Sequence, residues 1–165
     1  MDVHIRWMIR RDMPEVLEIE SQCFGSFAWD EDDFLNALRH RNCIGMVAEH
    51  KDAVIGFMVY ELHKTQLHLL NFAVLPKHHG QGVGDAMVIK LVGKLSPKRR
   101  ERITCEIRES NLSAQLFFRA QGFVAVSIMR GFYTDPPCDD DAYIFEFRLA
   151  KPKAVPTNRI AGLFA

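Results

Sequence analysis

Three glycines at alternate positions, Gly80, Gly82 and Gly84, lie within the stretch NFAVLPKHHGQGVGDAMVIKLV, residues 71–92. A glycine-rich turn between a strand and a helix lets the backbone bend tightly and approach a ligand. The helix start then directs unpaired N–H groups and the positive end of its dipole at an anion. A pyrophosphate suits that chemistry. An ordinary strand-to-helix turn would use one or two glycines for shape alone, so the glycines by themselves leave both readings open. The turn has neither the Lys-Ser/Thr ending of a triphosphate loop nor the GxGxxG spacing of a dinucleotide site. His78 and His79 are adjacent and have no evident third ligand, so no metal is expected. The basic run KLSPKRRER, residues 94–102, reads as a solvated loop and is assigned no role.

The elements around this turn follow from periodicity. Residues 3–9 alternate loosely as a first strand, and Asp12 with Glu15 stands at capping-box spacing before a helix over 13–24 that ends at Gly25. Asp30 and Asp33 open a short second helix with Phe34, Leu35 and Leu38 on one face. Residues 43–49 and 54–62 form a hairpin around His50, Lys51 and Asp52, and 67–75 extends the sheet. Met87, Val88, Leu91, Val92 and Leu95 recur at helical spacing after the glycines. A strand over 102–108, a helix from Asn111 to Gln121 stopped by Gly122, and strands over 123–131 and 142–149 complete the chain. The order β-α-α-β-β-β-α-β-α-β-β indicates an α/β fold with a mixed, mostly antiparallel central sheet covered by helices. Residues 1–149 are expected to form one domain and 150–165 a flexible tail.

Composition narrows the function. The chain has 165 residues with 21 basic and 21 acidic side chains, so no global field draws it to nucleic acid or an anionic membrane, and neither is an expected partner. Cys23, Cys43, Cys105 and Cys138 form no CxxC pair or metal-ligand spacing and read as reduced thiols. Charges interrupt every apolar run near the start, so a cytoplasmic location is expected.

The glycine turn and a second segment, CEIRESNLSAQLFFRAQGF at residues 105–123, together carry a family resemblance. The chain resembles the GNAT acetyltransferases, whose Q/R-x-x-G-x-G/A signature aligns with His79, Gly80, Gln81, Gly82, Val83 and Gly84. The second segment is similar to the E-V-R-x-S-N…A…L-Y-x-x-x-G-F pattern of alanine N-acetyltransferases that act on a ribosomal protein. His79 departs from the Gln or Arg of the signature, although a backbone cradle does not depend on that side chain. The resemblance implies acetyl-coenzyme A as cosubstrate, with contacts from Phe72, Ala73, Val74, the turn through Asp85, Asn111 and Phe118. It also implies that Glu106 is the general base.

Elementary chemistry agrees with that assignment. An α-amine has a pKa of about 7.7–8.0, so much of it must lose a proton before attacking a thioester, and a carboxylate can take that proton directly or through water. On spacing alone, Glu106 would serve equally well as an ion-pair partner for Arg108. The family's acid is a tyrosine, and here that position is Phe118, which has no proton to give. A departing thiol with a pKa near about 8.5 can leave unaided at modest cost, or Tyr133 can substitute as donor. Tyr133 lies in GFYTDPPCDDDAY, which resembles the family's peptide-gripping loop; packing at a strand end is its other reading. Acidic groups at 30–33 and 139–141 would favour a cationic acceptor, or serve as helix caps and solvated faces.

The expected function is therefore transfer of an acetyl group from acetyl-coenzyme A to a primary amine, foremost a protein or peptide N-terminal α-amine. A small-molecule amine is the alternative acceptor, and an acyl-coenzyme A sensor without turnover is the alternative class.

Overall fold

Seven strands form a single sheet in the order β1-β2-β3-β4-β5-β7-β6 in a computed structural model that describes residues 1–134 and 139–151. The strands are β1 (His4–Trp7), β2 (Cys43–His50), β3 (Ala53–Leu62), β4 (Gln66–Val74), β5 (Arg102–Arg108), β6 (Val124–Tyr133) and β7 (Asp140–Arg148). Four helices accompany them: α1 (Met13–Phe24), α2 (Glu31–Leu38), α3 (Val83–Val92) and α4 (Leu112–Ala120). Every strand pair is antiparallel except β4 with β5. The mixed, mostly antiparallel sheet of the sequence reading is thus the observed one.

At β3 the sheet is covered on both faces, which explains why this strand reads as an unbroken apolar run rather than an alternating one, whereas β6 at the edge is exposed. Phe57 and Val59 join Val16 and Ile19 of α1 and Phe34 of α2 in one core. Met58 and Tyr60, pointing the other way, join Met87 and Leu91 of α3 and Phe118 of α4 in the second. Phe34 meets Phe57 edge to face at 5.4 Å and Trp29 edge to face at 5.2 Å. Truncating a fully buried member such as Leu91 to Ala would cost about 2–5 kcal/mol.

Most helix boundaries follow the sequence signals. The Asp30 side chain accepts from the Asp33 N–H and the Asp33 side chain from the Asp30 N–H, the reciprocal cap expected at α2. The Asn111 side chain likewise accepts from Ala114 N–H at the start of α4. The cap expected from Asp12 and Glu15 is a correction. Asp12 is buried and accepts from Ile9 N–H and from both Arg6 terminal nitrogens, because the β1 cation is within reach. Arg6 and the Ile9 N–H hold the Asp12 carboxyl below its ordinary range. Glu15 instead accepts from Val54 N–H, pinning α1 to β3.

No helix among the described residues is long and apolar enough to cross a membrane. The expected tail, from residue 152 onward, and Cys138 lie outside the described residues.

Candidate active site

The one parallel strand pair is also the place where the sheet opens. Opposite Val59 and Tyr60, β4 presents Asn71 and Leu69, so Leu70 is an extra residue on that strand. Such a bulge bends and twists the strand that carries it. β4 and β5 are paired only over Gln66–His68 and Arg102–Thr104 and then diverge. Leu69–Phe72 on one side and Cys105–Arg108 on the other line a cleft of about 480 Å³. These two segments do not pair with each other, and within them the Glu106 and Arg108 carbonyls are taken by Tyr133 and by Gln115 and Asn111.

Glu106 stands in this cleft, on β5. His68 Nε2 on β4 lies within hydrogen-bond distance of its carboxylate, at 2.7 Å to Oε2 and 3.0 Å to Oε1. The Glu106 contact, offset by burial, raises the His68 pKa above the usual imidazole value. Tyr133 of β6 reaches in from the far side, its hydroxyl donating to the Glu106 backbone carbonyl at 3.4 Å. Burial pushes the Tyr133 phenol up to about 12, so it keeps its proton at neutral pH. The guanidinium of Arg108 lies between two rings, 4.0 Å from the centre of Phe27 and 3.9 Å from that of Tyr133. The Glu106 carboxylate is thus held by His68 across the strands.

The floor of the cleft holds a second carboxylate. Glu20 of α1 is 1% exposed and accepts from Trp29 N–H and from Asn71 Nδ2, each at 2.9 Å. Burial raises its pKa, partly offset by those two donors.

A second cleft, of about 590 Å³, runs from the end of β4 to the start of α3 and shares Phe72, Asn111, Ala114 and Phe118 with the first. Its lining includes Ala73, Val74, His79, Gly80, Gly82, Val83, Gly84 and Asp85. Gly80 and Gly82 have φ of 73° and 84°, a region other residues enter at a cost, and a Cβ on either would meet nothing within 4 Å. The space over the turn is open to a phosphate, and the first-turn N–H groups of α3 have no carbonyl within their own helix. The residues present therefore fit an acyl-coenzyme A pyrophosphate. Gly84 serves packing instead: a Cβ there would lie 2.9 Å from the Phe117 ring.

Other residues expected at the turn are committed elsewhere. His79 Nε2 bonds the Val74 carbonyl at 2.6 Å, so the side chain that replaces Gln or Arg ties the turn to β4. Gln81 does not line the cleft; its amide closes back on Lys77 and His78. The Asp85 carboxylate accepts from Gln121 at 2.6 Å, joining α3 to α4. Phe118 is 6% exposed and packs edge to face with Phe72, Phe117 and Phe123, where the two clefts meet. Burial pushes the Cys23 thiol, which lines both clefts, up to about 11. It is a thiol rather than a thiolate nucleophile at neutral pH, and it donates to the Val74 carbonyl.

A profile described as the acetyltransferase (GNAT) family matches residues 13–123, which contain both strands of the cleft and the whole glycine turn. The chain belongs to the GNAT acetyltransferase family. It is an acetyl-coenzyme A-dependent N-acetyltransferase. Its sequence is 26% identical to the [ribosomal protein bS18]-alanine N-acetyltransferase of Escherichia coli K12 over 133 residues, 81% of this chain and 88% of that one. It is 34% identical to the Haemophilus influenzae protein of the same name over 83 residues, 50% of this chain and 56% of that one. The fold is similar to the crystal structure of the Escherichia coli ribosomal-protein-S18-alanine N-acetyltransferase, with a TM-score of 0.79 at 22% identity over 93% of this chain and 97% of that one. Arabidopsis thaliana NAA60 in complex with acetyl-CoA superposes with a TM-score of 0.75 at 15% identity, covering 90% of this chain and 99% of the other.

Sequence reasoning did not single out four groups that this acetyltransferase brings to or beside the first cleft: Glu20, His68, Asn71 and Arg108 as an aromatic-stacked cation. Signals for two of them exist. Asn71 interrupts the apolar run LHLLNFAV, and Glu20 falls on the same helical face as Val16 and Ile19. The acidic groups also resolve. Asp30 and Asp33 cap α2, while Asp140 and Asp141 accept from Ser110 and from Gly131 N–H, so these four carboxylates have structural partners.

Proposed function

We propose that this acetyltransferase modifies the N-terminal α-amine of a protein or peptide, with Glu106 as general base and Tyr133 as the proton donor to the departing thiolate. One observation carries the reading: the coenzyme-side cleft and the acceptor-side cleft join at Phe72, Asn111 and Phe118, and Glu106 stands in the arm beyond that junction. A cosubstrate held at Gly80–Asp85 with its arm along Phe72, Ala73 and Val74 would bring its thioester to the crossing. Relatives that act on ribosomal protein bS18 point to a protein N-terminus as acceptor.

The chain's own groups then divide the work. The α-ammonium enters the β4–β5 opening and gives one proton to Glu106, freeing the lone pair for attack on the thioester carbonyl. Where β4 and β5 diverge, backbone groups of Leu69–Phe72 that β4 no longer offers to β5 can pair with an extended peptide, as an added strand would. The aromatic wall of Phe27, Trp29 and Tyr133 would cover its first side chains. Asn111, whose Oδ1 caps α4, has amide hydrogens left to offer the pantetheine arm. The structural thiols Cys23, Cys43 and Cys105 are free, in keeping with a cytoplasmic location.

Steady-state thiol release with a panel of unblocked peptides, N-terminally blocked peptides and small amines tests this reading. Turnover confined to unblocked peptides is the expected result. Preference for small amines would move the acceptor class, and coenzyme binding without release would leave a sensor.

A further inference from the structure

His68 belongs to no part of the family pattern that the sequence carries, yet it is the side chain bound to the proposed base. Three observations bear on its role. Its Nε2 contacts both oxygens of Glu106, at 2.7 and 3.0 Å. Its other ring nitrogen, Nδ1, faces Glu61 Oε2 at 3.9 Å, because Glu61 and His68 are direct cross-strand partners on β3 and β4. Glu61 Oε2 in turn is 2.9 Å from Nε2 of His63, whose side chain is 46% exposed on the β3–β4 turn. The order Glu106, His68, Glu61, His63 is a row of titratable groups from the cleft to solvent whose widest step is the 3.9 Å between His68 and Glu61.

We propose that His68 is the positioning and proton-relay residue of Glu106, and that the Glu61–His63 edge is its outlet to water. The inference rests on the reading of Glu106 as base. The reaction gives the row a task. An α-ammonium carries three N–H protons and the amide product one, so two protons leave nitrogen in each turnover. One ends on the coenzyme sulfur and the other must reach bulk water. A peptide seated over Glu106 covers the direct way out, whereas the hairpin edge of the sheet stays open.

The step balances as follows. Glu106 takes a proton from the ammonium and becomes a neutral acid. Its O–H then donates to the Nε2 lone pair of His68 in the tautomer that carries hydrogen on Nδ1. Transfer restores the Glu106 carboxylate and makes His68 an imidazolium, whose Nδ1–H faces the Glu61 carboxylate. Nδ1 releases its proton there and on to water, leaving a neutral ring whose tautomer resets by exchange at the exposed edge. One proton has entered the histidine and one has left. The groups facing His68 are Glu106 from β5, Glu61 from β3 and His63 from the turn, two of them carboxylates. That setting keeps the ring able to hold a proton near neutral pH, in line with its raised pKa.

The test separates relay from mere support of the carboxylate. His68→Gln keeps a hydrogen-bond donor for Glu106 but cannot pass a proton through; His68→Ala removes both and leaves space for a small base. With the full chain, acetyl-coenzyme A and an unblocked peptide, His68→Gln should lower kcat by about ten- to a hundredfold at neutral pH. Acetyl-coenzyme A affinity by calorimetry should stay within about twofold of the parent. Added imidazole should restore part of the lost rate in His68→Ala and none in Glu106→Gln. Near-parental kcat in His68→Gln would overturn the relay, and so would a folded His68→Ala that imidazole does not rescue. If His68→Ala does not fold, His68→Gln alone decides, by its kcat. Full activity in Glu106→Gln would instead sink the base assignment, a failure distinct from that of His68.

Discussion

The two arms of the active site are built by opposite means. The proposed coenzyme arm is largely local: eight of the eleven positions from Val74 through Gly84 line it, and backbone conformation rather than side-chain identity is its proposed means of binding. This is why His79 can replace Gln or Arg and turn inward to Val74 without closing the cleft. The acceptor arm is non-local. Its working side chains come from α1, β3, β4, β5 and β6, and its contacts span 38 residues between His68 and Glu106 and 51 between Glu20 and Asn71. A motif of the first kind tolerates substitution as long as the glycines remain. A constellation of the second kind depends on each partner being present, so single substitutions there should be felt in turnover.

Substitutions can break that contrast in order of expected size. The largest effect should come from Glu106→Gln, which keeps the shape of the side chain and removes the proton acceptor. It should reduce kcat by about 10²–10⁴ while acetyl-coenzyme A affinity holds, as rate and calorimetry together would show. Gly82→Val should do the reverse. A β-branched residue at a φ of 84° costs about 1–2 kcal/mol and puts a side chain into the open space over the turn. Coenzyme Kd should rise at least about tenfold with the fold retained by circular dichroism. The same substitution at Gly84 is a poorer probe, since its Cβ would strike Phe117 and disturb α3–α4 packing.

A smaller effect sharpens the account of the missing family tyrosine. Tyr133→Phe should lower kcat by about tenfold, and Phe118→Tyr should recover part of that loss in the double variant, because residues sharing one role are non-additive. Stopped turnover assays on both single variants and the pair measure this. An unaltered kcat in Tyr133→Phe would leave Tyr133 with peptide holding alone and the thiolate leaving unaided.

The smallest effect concerns stability in the acceptor arm. Glu20 has a raised native pKa, chiefly from burial, so the native state keeps its proton after the unfolded chain has lost it. Between the ordinary carboxylate value and that raised value the native state binds more protons. Stability attributable to Glu20 therefore falls as pH rises through this window and is lowest above it. Glu20→Gln should flatten that part of the melting-temperature profile and change stability at neutral pH by no more than about 1 kcal/mol. An unchanged slope in the variant would show that another group sets it.

What the sequence made legible tracks the same contrast. The helices of residues 13–24 and 111–121, the hairpin of β2 and β3, and the glycine turn are written in short-range signals: caps, alternation and chain-stopping glycines. Glu106 was reachable because it lies in a linear pattern shared with relatives. His68 was not, since nothing near it in the chain reveals a carboxylate that only strand pairing brings close. The opening between β4 and β5 was hidden for a similar reason: it depends on one extra residue, Leu70, in a strand whose composition reads as regular. Asp12 shows how a local signal can lose. Its spacing to Glu15 imitates a capping box, but a bidentate bond to Arg6 is worth more than a bond to a helix N–H, and the cap moved one turn back to Ile9.

The most direct test of the account is to locate the acetyl group on the product. A peptide bearing both a free α-amine and an internal lysine should be incubated with acetyl-coenzyme A and the full chain, and its fragments sequenced by mass spectrometry. Acetyl is expected on the N-terminal nitrogen alone, with no product when that nitrogen is blocked and far less with Glu106→Gln. Acetyl on the lysine side chain, or equal labelling with Glu106→Gln, would contradict it.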